Sequence, residues 1–538
     1  MKKIIIYMLF LSGILAGCTD LLDTIPTDRL SSEVYWQTDK DAEYAANAIY
    51  RFLESHSTIL GRDAMSDIAR ATFETSDETK VEASIADPQT VIFQNTWNDL
   101  YRGVRRCNDY MANVEKITPT NADFLNRVTS EVRTLRCYFY ARLVSYFGDV
   151  PLVTVPIGIS DAKNLTRTPV SEIYEFIYKE ITESVSYLPA TTAEKGRVTK
   201  GAAWGILART MLFAAGNVTG ADNRPALYLE RAKAAADAVI ASSVYSLLPN
   251  YNDLFNYANE NNREVVFDKQ FLKDLYSNSV MNNFGAVSLG NNGSMMSPMI
   301  ELVDEYETVN GIKITEDPSY DPTNPYENRD PRLLYTLYVP GSVLPNGVTY
   351  DSRPGWSSSA DVIGASYQVS KTGLLPKKYI NVEDIGQSNR SNCGINLILI
   401  RYAEILLIAA ETRIELNVEP DVALAYINQV RQRADVNMPV LSGITAQSAL
   451  REAVRHEIMV EFGLEGNRFF DVRRWKIAES VCNMNQIRGM RYVNKESGEL
   501  VTITTDYRKK FTSRDYLWPV PYNERQLNPN LTQNAGWD

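Results

Sequence analysis

Apolar residues recur every three to four positions through most of the first half of the chain, and this period predicts helices. In the stretch 39–55, for example, it places Ala46, Ile49 and Leu53 on one side. A long apolar stretch ends before Pro151, because the residue preceding a proline is pushed out of helical geometry. The helices predicted in this half cover residues 39–55, 97–114, 121–147, 170–187, 199–215 and 227–241.

The helical period is lost in the middle of the chain. Residues 276–296 are rich in Asn, Ser, Gly and Met, and residues 318–394 mix Pro, Gly, Asp, Asn and Tyr. Irregular segments of this length are uncommon inside compact proteins and are often functional. Helices are predicted again over residues 398–416, 422–434, 448–463 and 469–478, and a turn-rich tail follows them.

These elements predict a mainly α fold, in which paired helices form a tetratricopeptide-like array with a long, irregular, loop-rich excursion. In such arrays neighbouring pairs bury each other's apolar faces. Small residues in 199–215, such as Gly201 and Gly205, permit close helix contact. We expect a single domain over 18–538, divided into a helical array (about 35–267), the loop-rich region (about 268–396) and C-terminal helices with a tail (about 397–538).

The first residues have the features of an export signal. Two lysines precede an apolar run from Ile4 to Leu15, which is shorter than the about 20 apolar residues that a bilayer span requires. The run ends on Ala16 and Gly17 before Cys18, an ending that resembles the lipobox of bacterial lipoproteins. The resemblance implies a signal peptide over 1–17, acylation of Cys18 (palmitate) and a lipid anchor in the membrane. An ordinary secretory signal with a coincidental cysteine is the alternative.

Charge and hydropathy narrow the classes of partner. The net charge of −11 argues against nucleic acid, since phosphate binding requires a basic surface. The most apolar later stretch, 397–410, is short and carries Arg401 and Glu404, so it is not predicted to span a membrane. The mature protein is therefore expected to be anchored rather than integral.

Neither the histidines nor the common motifs of the sequence form a complete catalytic or metal-binding signature. His456 and Glu457 begin a zinc-protease-like HExxH, but Val460 stands where the second histidine is required, so we expect a hydrogen-bonded histidine on a charged helix. The chain has no G-x-S-x-G elbow, P-loop or G-x-G-x-x-G motif. We expect no enzyme activity, no cofactor and no metal. Paired carboxylates for glycoside hydrolysis stay open, because their separation in space decides and sequence does not give it.

The cysteines after Cys18 are widely spaced and none lies in a metal-ligand spacing. Cys107 and Cys137 fall in helical, partly apolar stretches. We therefore predict free, buried thiols rather than a disulfide.

Charged residues near the C-terminal end recur at helical spacing beside Phe462, Phe469 and Trp475. Their spacing predicts a partly buried ion-pair network that ties the last helices to the loops, rather than a catalytic site. The residues concerned are Glu461, Glu465, Arg468, Asp471 and Arg473.

Five segments, taken together and behind a lipobox, resemble the SusD/RagB family of outer-membrane nutrient-binding lipoproteins of Bacteroidetes. The most specific is 457–475, which contains the charged residues just described. The others are 135–152, 401–411 with 427–431, 328–332, and 518–521 with 533–537.

This resemblance implies a lipid-anchored protein of the outer membrane, facing the cell exterior. It would capture oligosaccharides and deliver them to a SusC-like TonB-dependent β-barrel transporter. Some family members handle peptides, so a peptide ligand is an alternative. A lipid-anchored glycoside hydrolase and a tetratricopeptide scaffold that binds only proteins are two further alternatives.

In the family, loops from two regions build the ligand site: one precedes the helix of Trp97 and one lies in the irregular middle. Aromatic side chains suit the C–H-rich faces of sugars, and polar side chains suit their hydroxyl groups. The candidate residues are Asp67, Arg70 and Phe73 in the first region, and Tyr276, Asn278, Phe284, Asn291, Asn292, Trp356 and Tyr367 in the second. Trp356 is the leading candidate, because no apolar periodic partner accompanies it.

Overall fold

A computed structural model describes residues 35–217 and 224–538. The predicted signal peptide 1–17 and the lipidation residue Cys18 lie outside the described residues. In chain order, the described α-helices are α1 (Asp39–Ile49), α2 (His56–Leu60), α3 (Asp77–Glu82), α4 (Val91–Val114), α5 (Ala122–Phe147), α6 (Ile159–Ala162), α7 (Val170–Ser184), α8 (Lys200–Asn217), α9 (Pro225–Ala241), α10 (Val280–Phe284), α11 (Ile300–Glu305), α12 (Arg332–Thr336), α13 (Tyr402–Leu416), α14 (Pro420–Arg431), α15 (Gln447–Glu461), α16 (Arg468–Arg474), α17 (Ala478–Val481) and α18 (Tyr522–Leu527).

The strands of the described residues are short and pair two by two. All four pairs are antiparallel: β1 with β3, β2 with β6, β4 with β5, and β7 with β8. Their bounds are β1 (Ala69–Ala71), β2 (Val265–Lys269), β3 (Met296–Pro298), β4 (Leu337–Tyr338), β5 (Leu375–Pro376), β6 (Leu397–Arg401), β7 (Ile487–Val493) and β8 (Leu500–Thr505).

The long helices form a continuous array in which each packs on the next. Helix α4 packs on α5, α5 on α7, α7 on α8, and α8 on α9. Helix α9 then packs directly on α13, although the whole irregular segment lies between them in the chain, and α13 packs on α14 and α15. The prediction of a mainly α, tetratricopeptide-like scaffold is confirmed.

The contact between α4 and α5 shows how closely these helices approach. Asn121 caps α5 by accepting a hydrogen bond from the Phe124 N–H at 3.0 Å. At Gly103, in α4, a Cβ atom would lie 2.6 Å from the Phe139 ring of α5. Glycine is therefore required there by the packing of the neighbouring helix.

The predicted helix over 398–416 is wrong in its first residues, because Leu397–Arg401 forms β6. A short apolar run such as this fits either period, and pairing with β2 decides the outcome. Val265 lies opposite Arg401, and Lys269 lies opposite Leu397. The irregular segment thus leaves the array along β2 and returns along β6, and we call this pair the neck.

The tail is more regular than predicted, since β7 and β8 pair as an antiparallel hairpin. The remaining differences lie at helix ends. Helix α4 begins at Val91 rather than Trp97, and α14 ends at Arg431 rather than near residue 434.

A network of buried ion pairs joins the irregular segment to the array. Arg332, from α12, contacts Glu457 at 2.5 Å and Glu461 at 2.9 Å, both in α15. Arg401, at the neck, contacts Glu461 at 2.6 Å and Glu465 at 2.8 Å. The predicted ion-pair network at Glu461 and Glu465 is confirmed, and it is buried more completely than expected.

The other members of the predicted network have separate partners. Arg468 pairs with Asp67 at 2.6 Å, and Asp471 pairs with Arg474 at 2.8 Å. Arg473 differs from the prediction, since its guanidinium lies 3.5 Å from the centroid of the Phe469 ring and forms no ion pair with another described residue. A cation over an aromatic face is partly compensated by the ring quadrupole.

The four cysteines that the structure describes, including Cys107 and Cys137, are buried free thiols, as predicted. The His456 Nε2 atom donates a hydrogen bond to the Glu305 carbonyl at 2.7 Å. Within 35–217 and 224–538, no helix combines the length and apolar character that a membrane crossing requires. The same residues contain no group of three or more His, Cys, Asp or Glu arranged to hold a metal ion.

Candidate functional site

A polar cleft of about 540 Å³ lies where the chain after α1 meets the first turns of α4 and the end of β2. Residues 51–58 form one wall, α3 and the start of α4 form another, and Lys269 and Met295 close the third side. The cleft therefore combines segments of the array with the last residue of β2, in the neck, and with Met295 of the irregular segment.

Two contacts hold the walls in place. Lys269, at the end of β2, donates hydrogen bonds to the carbonyls of Arg51 at 3.1 Å and Leu53 at 2.5 Å. Asp77, in α3, accepts a hydrogen bond from the Ile92 N–H at 2.9 Å, where α4 begins. A carboxylate at this position also interacts favourably with the positive end of the helix dipole.

The floor of the cleft consists of buried charges that are satisfied within the protein. The Arg62 guanidinium lies 4.9 Å from the ring centroid of Tyr146 and 4.8 Å from that of Trp518, and these two rings stack on each other. Glu54 pairs with Arg142 at 2.5 Å. Burial disfavours ionisation of Glu54, but the guanidinium of Arg142 outweighs this effect and holds the pKa of the carboxyl below its usual value.

Three side chains of the cleft keep hydrogen-bonding capacity for a ligand. Glu78 and Asn95 make no side-chain hydrogen bond to any other described residue, and Asn95 is exposed. Arg51 is also exposed and forms no ion pair with a carboxylate in the described ranges. A carboxylate, an amide and a guanidinium together supply both acceptors and donors.

An aromatic pair lies beside Arg51 and Lys269. Tyr276 stacks on Phe271 with 5.4 Å between ring centroids and 7° between ring planes. The Tyr276 hydroxyl donates to the Arg51 carbonyl at 3.3 Å, and the Lys269 Nζ atom lies 5.5 Å from the Tyr276 centroid. Of the candidates from sequence, Tyr276 is therefore the one that the structure brings to the edge of the cleft.

Other exposed candidates lie apart from the cleft. Tyr367 is 73% exposed, and its ring centroid is 6.4 Å from that of Phe73. Asn292 is exposed and accepts a hydrogen bond from Arg390 at 3.4 Å. None of these residues lines the cleft.

Trp356 also lies outside the cleft. Its indole N–H donates to the Val493 carbonyl in β7 at 3.0 Å, and the Arg353 guanidinium lies 4.0 Å from its ring centroid. The side chain is 36% exposed. Trp356 therefore packs against the tail hairpin, while part of its ring remains open to solvent.

Two candidates before α4 are occupied by structural contacts. Asp67 receives two hydrogen bonds from Arg468, at 2.8 and 2.6 Å. Arg70 donates to the Ala71 carbonyl at 2.8 Å, and its guanidinium lies 4.0 Å from the centroid of the Tyr507 ring. Both side chains are buried, so their charges stabilise the fold and do not face a ligand.

Three candidates of the irregular segment are likewise buried. Phe284 is 1% exposed and packs in the core. Asn278 donates to the Ile395 carbonyl at 2.9 Å, and Asn291 donates to the Ala286 carbonyl at 3.3 Å. Amides that satisfy backbone carbonyls in this way hold irregular loops together, which is why asparagine is frequent here.

Arg51, Asn95 and Lys269 were not among the candidates from sequence. Asn95 was missed because the helix prediction began at Trp97. The segment before Val91, with Pro88 and Thr90, is a start signal that would have moved this boundary. Arg51 and Lys269 lie far apart in sequence and meet only through the fold, so no local pattern joins them.

Comparisons with known proteins cover nearly the whole chain. Residues 263–537 match a family model described as the SusD family, and residues 29–212 match a model described as starch-binding, associating with outer membrane. The chain is 26% identical to the SusD-like protein P25 of Formosa agariphila, over 99% of this chain and 98% of that protein.

Solved structures agree with these matches. A SusD-like carbohydrate binding protein from Bacteroides fragilis superposes with a TM-score of 0.83 and 27% identity, covering 93% of this chain and 100% of that chain. A second SusD-like protein from Bacteroides fragilis has a TM-score of 0.80 and 26% identity, covering 95% of this chain and 100% of that chain.

Proposed function

The chain belongs to the SusD family, and we propose that it is a cell-surface lipoprotein that binds oligosaccharides and delivers them to a SusC-like TonB-dependent outer-membrane transporter. The matched model that is described as associating with outer membrane supports the location. The Bacteroides fragilis relative, described as carbohydrate binding, supports the ligand class.

The observation that carries the proposal is the polar cleft beside the stacked pair Phe271 and Tyr276. Sugar rings pack their C–H faces on aromatic rings, while their hydroxyl groups need donors and acceptors. Arg51, Glu78 and Asn95 supply these groups from rigid elements or their immediate ends. The cleft thus offers an oligosaccharide both an aromatic surface and hydrogen-bonding groups.

Binding is favoured over hydrolysis by the contacts of two of the cleft's carboxylates, Glu54 and Asp77. A glycosidase needs one carboxyl group that is kept protonated to act as general acid. The pKa of Glu54 is held below its usual value, after the opposing effect of burial, by Arg142. Asp77 is occupied by the Ile92 N–H and by Lys80 at 2.8 Å.

The proposed lipid anchor at Cys18 gives the delivery step its physical basis. A tether keeps the binding domain beside its transporter at high effective concentration while leaving it free to swing. Cys18→Ala is expected to preserve ligand binding by the purified protein and to abolish membrane attachment and efficient uptake. Membrane attachment of the variant at the wild-type level would contradict the anchor.

Calorimetric titration of the mature chain with neutral oligosaccharides, acidic oligosaccharides and peptides tests the ligand class. We expect oligosaccharide binding that Tyr276→Ala and Asn95→Ala each weaken about tenfold, or about 1.4 kcal/mol. Tyr187→Ala, which removes an exposed tyrosine outside the cleft, is the matched control. Binding of peptides alone would favour the peptide alternative, and release of reducing ends would establish a hydrolase.

A further inference from the structure

We infer that the cleft is selective for acidic oligosaccharides, whose anionic group would be held by Arg51 and Lys269 beside the Phe271 and Tyr276 rings. The inference rests on the proposed function and narrows its ligand class. Uronate carboxylates and sulfate esters share this chemistry, and the experiment below separates them.

The cleft contains cations that no carboxylate of the described residues neutralises. Neither Arg51 nor Lys269 lies within ion-pair distance of a described Asp or Glu. An uncompensated cation at a partly buried position is stabilised when an anion binds.

The carboxylates around the same cleft are mostly neutralised by other cations. Glu54 pairs with Arg142, Asp77 pairs with Lys80, and Asp99 pairs with Arg102 at 3.0 Å. Glu78 is the lining carboxylate without such a partner among the described residues. Among the described lining residues, the unpaired cations Arg51 and Lys269 therefore outnumber the unpaired carboxylate Glu78.

Lys269 is prepared for an anion by its surroundings. Lys269 is 6% exposed, and the carbonyls of Arg51 and Leu53 accept hydrogen bonds from two of the three N–H donors of its ammonium group. A buried ammonium loses much of its hydration, which a bound carboxylate or sulfate would replace. Neutral sugar hydroxyls compensate such a charge less well, because an anion adds the attraction between opposite charges to the hydrogen bond.

The position of the cations relative to the rings matches the shape of an acidic sugar. Arg51 lies 5.7 Å from the centroid of Tyr276, and the Lys269 Nζ atom lies 5.5 Å from Tyr276 and 5.3 Å from Phe271. A uronic acid carries an apolar C–H face and a carboxylate on the same ring. One uronic acid unit of a ligand could thus contact the aromatic pair and both cations together.

The affinity for an acidic ligand should depend on pH in a defined direction. Burial lowers the pKa of Lys269 to about 8, Glu54 and Asp99 oppose this effect, and Arg51 adds to it. Lys269 is therefore charged at neutral pH and loses its charge as the pH rises through about 8. Affinity for an acidic ligand should fall over this interval, whereas affinity for a neutral one should stay nearly constant.

Calorimetry with three tetrasaccharides tests the inference: tetragalacturonate, a sulfated carrageenan tetrasaccharide and neutral galactotetraose. We expect at least one acidic probe to bind about tenfold or more tighter than galactotetraose, and the better one identifies the anion. Arg51→Gln, at an exposed position that should fold normally, should weaken the acidic probe alone by about tenfold. Arg106→Gln removes an exposed cation of α4 that does not line the cleft, and it should change nothing.

Equal or tighter binding of galactotetraose would overturn the selectivity and leave the proposed function intact. Tight acidic binding that Arg51→Gln does not weaken, or that stays constant from pH 6.5 to 9, would also overturn it. Absence of binding to any oligosaccharide would remove the proposed function and this inference together.

Discussion

Replacing Glu461 with glutamine should destabilise the protein far more than its conservative shape suggests. The carboxylate accepts hydrogen bonds from Arg401 at 2.6 Å, Arg433 at 2.8 Å and Arg332 at 2.9 Å. All four side chains are at most 1% exposed. Glutamine would remove the charge shared by three buried guanidinium groups and would direct an amide N–H at one of them.

The expected loss follows from the fate of the three arginines. Removing one partner of a buried ion pair costs about 3–5 kcal/mol, mainly because the opposite charge stays buried without compensation. Arg332 keeps Glu457 and Arg401 keeps Glu465, so the lower end of that interval applies. We therefore expect Glu461→Gln to lower the free energy of unfolding by about 3 kcal/mol.

Urea denaturation followed by tryptophan fluorescence measures this change. Glu175→Gln is the matched control, since Glu175 pairs with Arg231 at 2.7 Å but is 38% exposed. An exposed pair contributes about 0–1 kcal/mol. If Glu461→Gln lowered the unfolding free energy no more than Glu175→Gln does, the argument from burial would be refuted.

The pH dependence provides a second check on the same residue. Burial favours the protonated form of Glu461, but Arg433, Arg401 and Arg332 outweigh it and hold the pKa well below the usual 4.5. The stability that the ionised carboxylate contributes is fully present above the unfolded pKa and is lost as the pH falls through it toward the folded pKa. The difference between wild type and Glu461→Gln should thus be constant from pH 8 to 6 and should shrink below about 4.5.

Three further changes test other parts of the structure. Burial raises the pKa of Asp63 to about 7, so the ionisation of this carboxyl group costs stability as the pH rises from about 4 to 7. Asp63→Asn should therefore stabilise the protein, by up to about 4 kcal/mol at pH 8 and by less at pH 5, as measured by calorimetric melting. Equal gains in stability at the two pH values would contradict this explanation. Gly103→Ala should cost about 1–3 kcal/mol in urea denaturation because of the Phe139 ring, whereas Gly61→Ala, whose added carbon meets no neighbour, should cost clearly less. Trp356→Ala should leave oligosaccharide affinity unchanged in calorimetry if the cleft is the binding site, and a tenfold loss would move the site to Trp356.

The helical array could be predicted from sequence because each long helix carries its own apolar period. The neck could not, since the run from Leu397 to Arg401 fits a helix or a strand and only its partner β2 decides. The prediction of the ligand site had the same limit, since the local sequence does not show which side chains the fold buries. Aromatic and amide side chains in the irregular segment pointed to ligand binding, but Phe284 packs in the common core and the buried Asn291 donates to a backbone carbonyl.

The cleft was accessible to prediction only in part. Tyr276, at the edge of the cleft, was a candidate because of its residue type and its irregular surroundings. Asn95 was omitted because the start of its helix was placed too late. Arg51 and Lys269 were omitted because what distinguishes them is the absence of a neutralising charge, which depends on contacts between distant segments.

Through the neck, the irregular segment is inserted into the array as one exchangeable unit. Because β2 and β6 bring its two ends together as neighbours, the entropy of closing the loop grows only slowly with its length. Insertions and deletions between the ends are therefore expected to be tolerated, provided that β3 still pairs with β1 and that Arg332 and Lys378 still reach the charges of the array. In evolution, or in an engineered graft, replacing this segment could exchange the aromatic pair Phe271 and Tyr276, while Arg51, Lys269 and the helices of the array stay the same.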